Sequence, residues 1–362
     1  MKSIERRGKR LVVSVLGFLL GAPSVSSKRI SPDRLRRVLV VRQDERLGNV
    51  LLITPLLEGL RRALPEARIV VLVSRRFADV LRSNGDIDSL KTFDKKELLK
   101  NPLRLVALIR WLRRGSFDLA VDCGPIDDLS LNNSLLTYLS GAPLRLGHQR
   151  ADSHLFLNLL VPPRTGDRSE ADRHLDLLRY LFEKVSAGPV KLTLQPEERV
   201  RARQRWQALG FPGGRVVAIH VGGRGSKQWG WDNFLSLAER LISEDGVRVI
   251  LYWGPDEKDL VGRLRDRPRP GLVLSPPLSV RDLAAQLELC AVFVGNDTGP
   301  MHLAVAVGTP TVAVFLKANY TRYGPRQDTH RIIYHPDGKV SPDDVHRAVR
   351  ELLAGAPKGP SS

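Results

Sequence analysis

Short apolar runs alternate with helical patterns along most of the 362-residue chain, and this alternation constrains the fold more than any other feature. Each run is continuously hydrophobic, as expected of parallel strands covered on both faces. The candidate strands are residues 37–41, 68–73, 118–122, 216–220, 247–253, 272–274, 292–295 and 311–315. The candidate helices are residues 50–64, 97–114, 170–184, 232–243, 279–288 and 300–307. Such alternation predicts βαβ units and doubly wound parallel sheets, an α/β fold.

The alternation breaks once, near residues 186–213, where a turn, a short strand and a basic helix ending at "GFPGG" follow one another. The chain is also too long for one ordinary core, so we predict two Rossmann-like domains. The predicted divisions are an N-terminal segment at 1–30, an N-terminal domain at 31–190, a linker region at 191–213, a C-terminal domain at 214–335, and a helix with a disordered tail at 336–362. Two such domains form a cleft between the carboxyl ends of their strands, where ligands bind.

The chain is strongly basic, with a net charge of +18 and a pI of about 10.4. Residues 1–42 hold eleven Lys and Arg against two acids, and more basic side chains follow in residues 95–114. This charge favours an anionic partner: nucleic acid, lipid head groups or a phosphorylated substrate. Aromatic residues make up only 6% and no groove-reading motif occurs, so we do not predict a nucleic-acid binder.

The amino end carries a twelve-residue apolar run at residues 11–22 behind a basic start. The run is too short for a transmembrane helix, which needs about 20 residues. Three interpretations stand: a peripheral anchor on an anionic membrane, which we favour; an export signal, against which Pro23 would hinder cleavage; and a helix packed on the protein itself. Cys123 and Cys290 lie in apolar contexts, which predicts buried thiols and a reducing compartment.

The segment 294–315 carries the clearest chemical signal, since a strand ends at Gly295 and a helix opens near Thr298–Gly299. Free backbone N–H groups at such a helix start bind phosphate, and glycine lets an anion approach closely. Asp297 repels phosphate and is expected to point to sugar hydroxyls, while His302 can reach the same pocket. The plainer alternative is a capped helix start with a structural histidine.

Two further loops follow buried strands. Gly222 and Gly223 leave the backbone open beside Arg224 and Lys227, which predicts a phosphate cradle without the spacing of a Walker loop. The alternative is an exposed turn with ordinary surface charge. Glu257 starts a helix after the next strand, where its carboxylate can accept hydrogen bonds from a ribose diol or simply favour the helix dipole.

These loops occur in order together with an N-terminal pattern. The motif residues are Arg42, Asp44, Gly48, Asn49 and Pro55, then Lys227 and Trp229, then Gly254 and Glu257, then Asp297, Thr298, Gly299 and His302. Over about residues 37–335 the chain resembles the ADP-heptose–lipopolysaccharide heptosyltransferases, glycosyltransferase family 9. The resemblance implies a GT-B fold, in which two Rossmann-like domains face each other across a cleft.

The resemblance also implies a division of labour between the domains. The C-terminal domain would bind the nucleotide sugar, with Glu257 on the ribose and Asp297 on the sugar. The groups around the phosphates would be Gly222, Gly223, Lys227, Thr298, Gly299 and His302. The N-terminal domain would take a lipid A–core acceptor at the cytoplasmic face of the inner membrane, where heptose is transferred with inversion. Neither a metal nor a cofactor is implied.

The sequence departs from the family at Asn49, where the Gly-Asp pair would place the base. Inversion needs a base that takes the acceptor hydroxyl proton, and an amide contributes only hydrogen bonds. Three explanations stand: Asp44 or Glu45 in the same loop supplies the base, another group activates the acceptor, or the protein binds sugar nucleotide and catalyses poorly.

Overall fold

The computed structural model describes residues 31–127, 129–211, 215–223, 225–266 and 268–355. The predicted N-terminal segment 1–30, the tail 356–362 and Arg224 lie outside the described residues. Within them, the predicted α/β fold with two doubly wound parallel sheets is confirmed. Both predicted buried thiols are also confirmed, and burial raises the pKa of Cys123 to about 12.

The first sheet has six strands in the order β3-β2-β1-β4-β5-β6, and every neighbouring pair is parallel. Its strands are β1 (Arg37–Arg42), β2 (Arg68–Ser74), β3 (Ser89–Phe93), β4 (Leu119–Asp122), β5 (Leu144–His148) and β6 (Leu159–Val161). The central strand β1 is Val and Leu rich and almost wholly buried, because helices cover both faces of the sheet. The strand order reverses beside β1, which is where ligands bind in such folds.

The second sheet repeats this plan with the order β12-β11-β10-β7-β8-β9, again parallel throughout. Its strands are β7 (Val216–His220), β8 (Arg248–Tyr252), β9 (Leu272–Leu274), β10 (Val292–Asn296), β11 (Thr311–Phe315) and β12 (His330–Tyr334). The order reverses between β7 and β10, so the loops after these two strands share one crevice.

Helices cover both sheets. They are α1 (Leu47–Leu51), α2 (Thr54–Ala63), α3 (Lys95–Lys100), α4 (Pro102–Arg114), α5 (Leu131–Leu139), α6 (Glu170–Leu181), α7 (Pro196–Ala208), α8 (Trp231–Ser243), α9 (Lys258–Asp266), α10 (Val280–Leu287), α11 (Gly299–Ala306), α12 (Tyr320–Tyr323) and α13 (Pro342–Gly355). Short 3₁₀ turns occur at Pro32–Arg34, Arg75–Leu81, Ser153–Leu155, Gly225–Lys227 and Pro255–Glu257.

Two predicted helices are each divided into two. The predicted helix 97–114 forms α3 and α4, because Pro102 forces the preceding Asn101 into an extended conformation. The Asn101 side chain then caps α4 by accepting a hydrogen bond from the backbone N–H of Leu103 at 3.0 Å. The predicted helix 50–64 forms α1 and α2, and its start lies earlier than predicted, at Leu47. Asn49 therefore lies within a helical turn rather than in the loop before it.

The chain between the sheets runs along the junction of the two halves. The backbone N–H of Lys191 bonds the Thr54 hydroxyl at 3.0 Å in the first half, and that of Leu192 bonds the Ala306 carbonyl at 2.8 Å in the second. Helix α7 packs on α10, and α13 packs on α8, so both helices are part of the second half. No helix in the described parts of the chain has both the length and the apolar character to cross a membrane.

Candidate active site at the junction of the two halves

Asn296, at the carboxyl end of β10, organises the glycine-rich loop of the second half. The side chain is fully buried; its Nδ2 donates to the Gly222 carbonyl at 2.9 Å, and its Oδ1 accepts from the Trp229 backbone N–H at 3.1 Å. A Cβ at Gly223 would lie 2.9 Å from the same Nδ2, so this close approach needs glycine. These two bonds tie Gly222 and Trp229, on either side of the loop, to the end of β10. Sequence reasoning missed Asn296, although it directly precedes the predicted Asp297.

Lys227 and Asp297, predicted separately, meet as an ion pair in this crevice. The Asp297 Oδ2 also accepts a hydrogen bond from Asn319 Nδ2 at 2.7 Å, and the Lys227 ammonium lies 6.0 Å from the centre of the Tyr323 ring. The Lys227 side chain keeps 40% of its surface exposed, so its charge can reach an anion in the crevice. Asn319 and Tyr323 come from the N-cap and the last residue of the short helix α12 after β11, which carried no signal in the sequence.

His302 lies on α11, whose N-cap is Thr298 and whose first residue is Gly299, as predicted. Its Nε2 is 3.9 Å from the Asp297 Oδ1. Burial, with a contribution from the Lys227 charge, lowers the pKa of His302 to about 4 even though Asp297 opposes this shift. The imidazole is therefore neutral near pH 7 and can donate or accept a hydrogen bond without carrying charge.

Glu257 ends the turn Pro255–Glu257 that follows β8. The carboxylate is buried, and its Oε2 accepts the backbone N–H of Gly254 at 2.8 Å. Because β8 lies beside β7, this turn is at the same edge of the sheet as the glycine-rich loop. Among the described residues, no hydrogen bond or ion pair joins Glu257 to Lys227, Asp297 or His302, so the structure groups the last three and places Glu257 one strand away.

Asp44 sits at the start of the N-terminal loop, surrounded by donors. Its carboxylate accepts from the Arg46 backbone N–H at 2.9 Å and from Asn49 Nδ2 at 2.7 Å, and it lies 3.4 Å from the Arg42 guanidinium. Burial alone would raise the pKa of Asp44, but the charges of Arg42 and Arg46 and the hydrogen bonds outweigh it and hold the pKa below its ordinary value. A carboxylate held in this way is a poor base.

The remaining two predicted residues of this loop differ in environment. Asn49 is buried, with its amide turned to Asp44, whereas Glu45 is exposed and makes no hydrogen bond or ion pair with the described residues. Glu45 is thus the carboxylate of this loop whose oxygens are not engaged by other described residues.

Helix α1, which follows the N-terminal loop, contacts α11 across the junction. A Cβ at Gly48 would overlap the ring of His302, and a Cβ at Gly299 would lie 3.0 Å from the Leu47 side chain. Only backbone can come this close, which gives Gly48 and Gly299 a packing reason to be glycine. Because Asn49 follows Gly48 on α1, this contact brings it close to the helix that carries His302. Asn49 and His302, predicted in separate domains, therefore lie near each other at the junction.

Arg322 on α12 crosses from the second half to the first, and sequence reasoning missed it. Its Nε donates to the Glu170 Oε2 at 2.7 Å, and its Nη1 pairs with Asp127. Glu170 is buried at the start of α6. Beside this bridge a cavity of about 560 Å³ lies between the halves, lined by His302, Arg322 and Tyr323 on one side and by α2 and α6 on the other.

A second buried polar cluster lies under the first sheet's carboxyl edge. Asp122 accepts from Ser134 at 2.6 Å and from Arg150 at 3.0 Å, and both charged side chains are buried. The pair fixes the end of β4 beside β1, so the N-terminal loop rests on a rigid base. In the described portion of the chain, no three His, Cys, Asp or Glu side chains lie close enough together to hold a metal ion.

Comparisons with known proteins find relatives of this chain in both sequence and fold. The sequence profile of glycosyltransferase family 9 (heptosyltransferase) matches residues 105–350. Lipopolysaccharide heptosyltransferase 3 of Escherichia coli is 25% identical over 289 residues, covering 77% of this chain and 83% of the relative.

Two solved structures share the fold. A family 9 glycosyltransferase from Veillonella parvula superposes with a TM-score of 0.79 at 22% identity, covering 89% of this chain and 98% of that one. The Escherichia coli heptosyltransferase WaaC with ADP superposes with a TM-score of 0.66 at 20% identity, covering 88% and 99%.

Proposed function

The chain belongs to glycosyltransferase family 9, the heptosyltransferases, and on that premise we propose that it transfers heptose from ADP-heptose, with inversion, to a sugar of a lipopolysaccharide core or related envelope glycolipid. The observation that carries this proposal is the meeting of Lys227, Asp297 and His302 in the second half with the Gly48–Asn49 turn of the first. A donor bound on one side then faces an acceptor bound on the other.

The second half supplies the donor site in this proposal. Lys227 and the backbone N–H groups of Gly222, Gly223, Thr298 and Gly299 bind the diphosphate, because a charge-assisted bond and a helix start both favour phosphate oxygens. Asp297 accepts from the sugar hydroxyls, and neutral His302 bonds a phosphate or sugar oxygen without adding charge. Glu257 takes the ribose. The choice of ADP follows the relative whose structure holds it.

The first half supplies the acceptor site. In a single displacement, the acceptor oxygen attacks the anomeric carbon, the bond to the diphosphate breaks, and a base takes the hydroxyl proton. We assign the base to Glu45, since Asp44 is held by Arg42, Arg46 and Asn49 with a lowered pKa. Asn49 orients Asp44 and lies where the departing diphosphate and incoming acceptor meet.

A second candidate function rests on the same loop. Asn49 cannot accept a proton and Asp44 is a poor base, so a protein that binds the sugar nucleotide and turns it over slowly fits this arrangement as well. Both candidates use the donor site in the same way and differ only in turnover with acceptor.

The acceptor chemistry places the protein at the inner face of the inner membrane. A glycolipid acceptor stays in the bilayer, and the net charge of +18 suits an anionic surface. Peripheral binding then brings the cleft to its substrate.

A thermal-shift screen tests the donor assignment. ADP-heptose should raise the melting temperature more than UDP- or GDP-sugars, because a ligand that binds only the folded state stabilises it. Lys227→Ala should abolish most of the shift, while Lys184→Ala, an exposed lysine of the first half, should leave it unchanged. Equal shifts for all three nucleotides would overturn the ADP assignment, and release of ADP only when acceptor is added would favour the transferase over the slow binder.

A further inference from the structure

Helix α4 presents an apolar tip to solvent. Among the described residues, the exposed large hydrophobic side chains are Leu103 at 77%, Leu105 at 40%, Val106 at 42% and Val200 at 51%. Three of the four thus lie within the first two turns of one helix. Leu108 and Leu112, further along, are buried and anchor α4 to the sheet. The exposed turn is therefore a projection from a well-packed helix.

A collar of positive charge surrounds this turn. Residues 94–114 hold seven Lys and Arg against two acids. Lys95, Lys96, Lys100 and Arg110 are exposed and form no ion pair with any described residue. Both acids are engaged, since Asp94 caps α3 by accepting from the backbone N–H of Lys96 at 2.8 Å and Glu97 pairs with two arginines. The positive charge of these four side chains is therefore not neutralised by ion pairs within the described chain and is available to bind an external anion.

The projection is rigid. Glu97 on α3 pairs with Arg104 on α4 and, at 3.0 Å, with Arg75 beyond β2, so the two helices and the sheet are tied together. The Asn101 side chain caps α4, and the Lys91 ammonium lies 5.4 Å from the centre of the Trp111 ring. The apolar turn is thus already formed, and binding through it would order few side chains.

The tip lies at the same edge of the molecule as the N-terminal loop of the candidate site. Strands β1, β2 and β3 are parallel, and Arg42 is level with Val73, which is level with Thr92. Two strand spacings, about 10 Å, therefore separate the ends of β1 and β3. Helix α3 follows the end of β3 directly, and α4 starts at that edge before running back toward β4.

We propose that the tip, Lys95–Ala107, docks on an anionic phospholipid bilayer, with Leu103, Leu105 and Val106 entering the head-group boundary and the lysines on the lipid phosphates. An apolar turn with a collar of flexible basic side chains fits this boundary, since long cations reach phosphates while their stems stay apolar. The role of the tip in delivering the glycolipid acceptor rests on the proposed function, whereas the docking itself does not.

A fluorescent label on the full chain tests the surface by position. Leu103→Cys and the matched control Val200→Cys each carry an environment-sensitive fluorophore, and the native Cys123 and Cys290 are buried away from it. On vesicles that contain phosphatidylglycerol, the label at 103 should brighten and shift to the blue, and the label at 200 should not. Bound protein without a change at 103 would overturn the proposal, and so would a full chain that binds no vesicles.

Binding strength gives the second readout. A variant with Leu103→Ser, Leu105→Ser and Val106→Ser should lose at least about tenfold in partitioning onto phosphatidylglycerol vesicles, because interfacial binding scales with the apolar area that enters the boundary. Val200→Ser should behave as the unchanged chain. Partitioning equal to that of the unchanged chain in the triple variant would overturn the proposal. The donor-induced thermal shift of the same variants reports the proposed function separately, so the two can fail independently.

Discussion

At the scale of single residues, position 49 holds the main chemical question. The Asn49 amide donates to Asp44 at 2.7 Å, so an aspartate at this position would put two carboxylates within hydrogen-bond distance of each other. Like charges this close cannot both ionise freely, and one pKa of such a pair is raised. An aspartate here would be tuned towards a base. The asparagine instead removes that base and keeps Asp44 fully ionised.

Substitution of Glu45 tests where the base now lies. Glu45→Gln should lower kcat about 10²–10⁴-fold, the usual range for a general base, with donor affinity unchanged. Asn49→Asp in the same background should restore part of the loss, because it returns a carboxylate beside Asp44. Steady-state rates of ADP release with acceptor measure both effects.

Asp44→Asn is the matched control for this assignment. It removes a carboxylate that already serves four donors, so its main effect should be on the stability of the loop. An unchanged kcat in Glu45→Gln, together with new transfer in Asn49→Asp alone, would reject Glu45 as base and favour the slow-binder function.

At the scale of elements, Arg281 on α10 joins three parts of the chain. Its guanidinium pairs with Glu198 on α7, and it also donates to the Thr193 carbonyl at 2.7 Å and the Asp79 carbonyl at 2.9 Å. Both charged side chains are buried or nearly so. One side chain thus holds α7, the linking segment and the first half in register.

Removal of the Arg281 side chain should therefore destabilise the fold strongly. Arg281→Ala should lower the free energy of unfolding by about 3–5 kcal/mol, because it leaves Glu198 buried without its partner. Arg199→Ala, which breaks the more exposed pair with Glu288 on the same two helices, should cost less than about 1 kcal/mol. Urea unfolding curves measure both, and similar losses in the two variants would contradict this account.

Most of the strands predicted from the sequence are buried on both faces. All eight predicted strands are present; seven lie inside the two sheets, where continuous apolar runs such as 37–41 are covered on both sides, and the eighth, β9, is a half-buried edge strand. The four that were missed are β3, β5, β6 and β12, of which three are edge strands. An edge strand is half-exposed and alternates with polar residues, as "SLKTF" does, so its run of apolar residues is broken.

The residues of the candidate site could be predicted where the sequence of a single loop indicates its function. Glycines and a lysine after a buried strand predict a phosphate loop locally, and the structure brings Lys227, Asp297 and His302 together. Asn319 and Arg322 act from a segment without periodicity. Asn319 reaches Asp297 because β11 lies beside β10, and Arg322 reaches Glu170, 152 residues away in the sequence, because the two halves pack together. No local pattern encodes either contact.

At the scale of the whole molecule, buried histidines make the fold sensitive to acid. Burial lowers the pKa values of five of the eight histidines, which are His148, His174, His220, His302 and His330. The unfolded chain therefore binds more protons than the folded one between about pH 6.5 and 4. Stability is complete above this window and falls as the pH falls through it.

Each of these histidines should lower the free energy of unfolding by on the order of 1–2 kcal/mol as the pH falls from 7 to 5. Urea unfolding at several pH values across this window measures the slope. The slope of unfolding free energy against pH reports the number of protons taken up on unfolding. His330→Gln, on edge strand β12 and away from the candidate site, should lower that number by up to about one. A stability that does not change with pH in this range would show that the histidines titrate normally.

The relation of the two halves depends on the Arg322 bridge. Glu170 is buried at the junction, and besides Arg322 its carboxylate faces His174 at 3.9 Å, whose pKa burial holds well below the ordinary value. The Arg322 guanidinium is therefore the cation that pairs directly with Glu170. Without it, water must reach the carboxylate, and the simplest route is a parting of the halves.

Arg322→Gln should accordingly open the molecule, and a larger radius of gyration in small-angle X-ray scattering would report it. Donor affinity should stay unchanged, since Lys227, Asp297 and His302 all lie in the second half. The kcat/KM for acceptor should fall about 10–10²-fold, because small misplacements of reacting groups cost that much. Arg326→Gln is the control, because Arg326 is an exposed neighbour whose side chain donates to the Thr321 carbonyl and, among the described residues, forms no ion pair. Unchanged scattering with unchanged kcat/KM would mean that packing of Leu47 and Gly48 on α11 holds the halves together without the bridge.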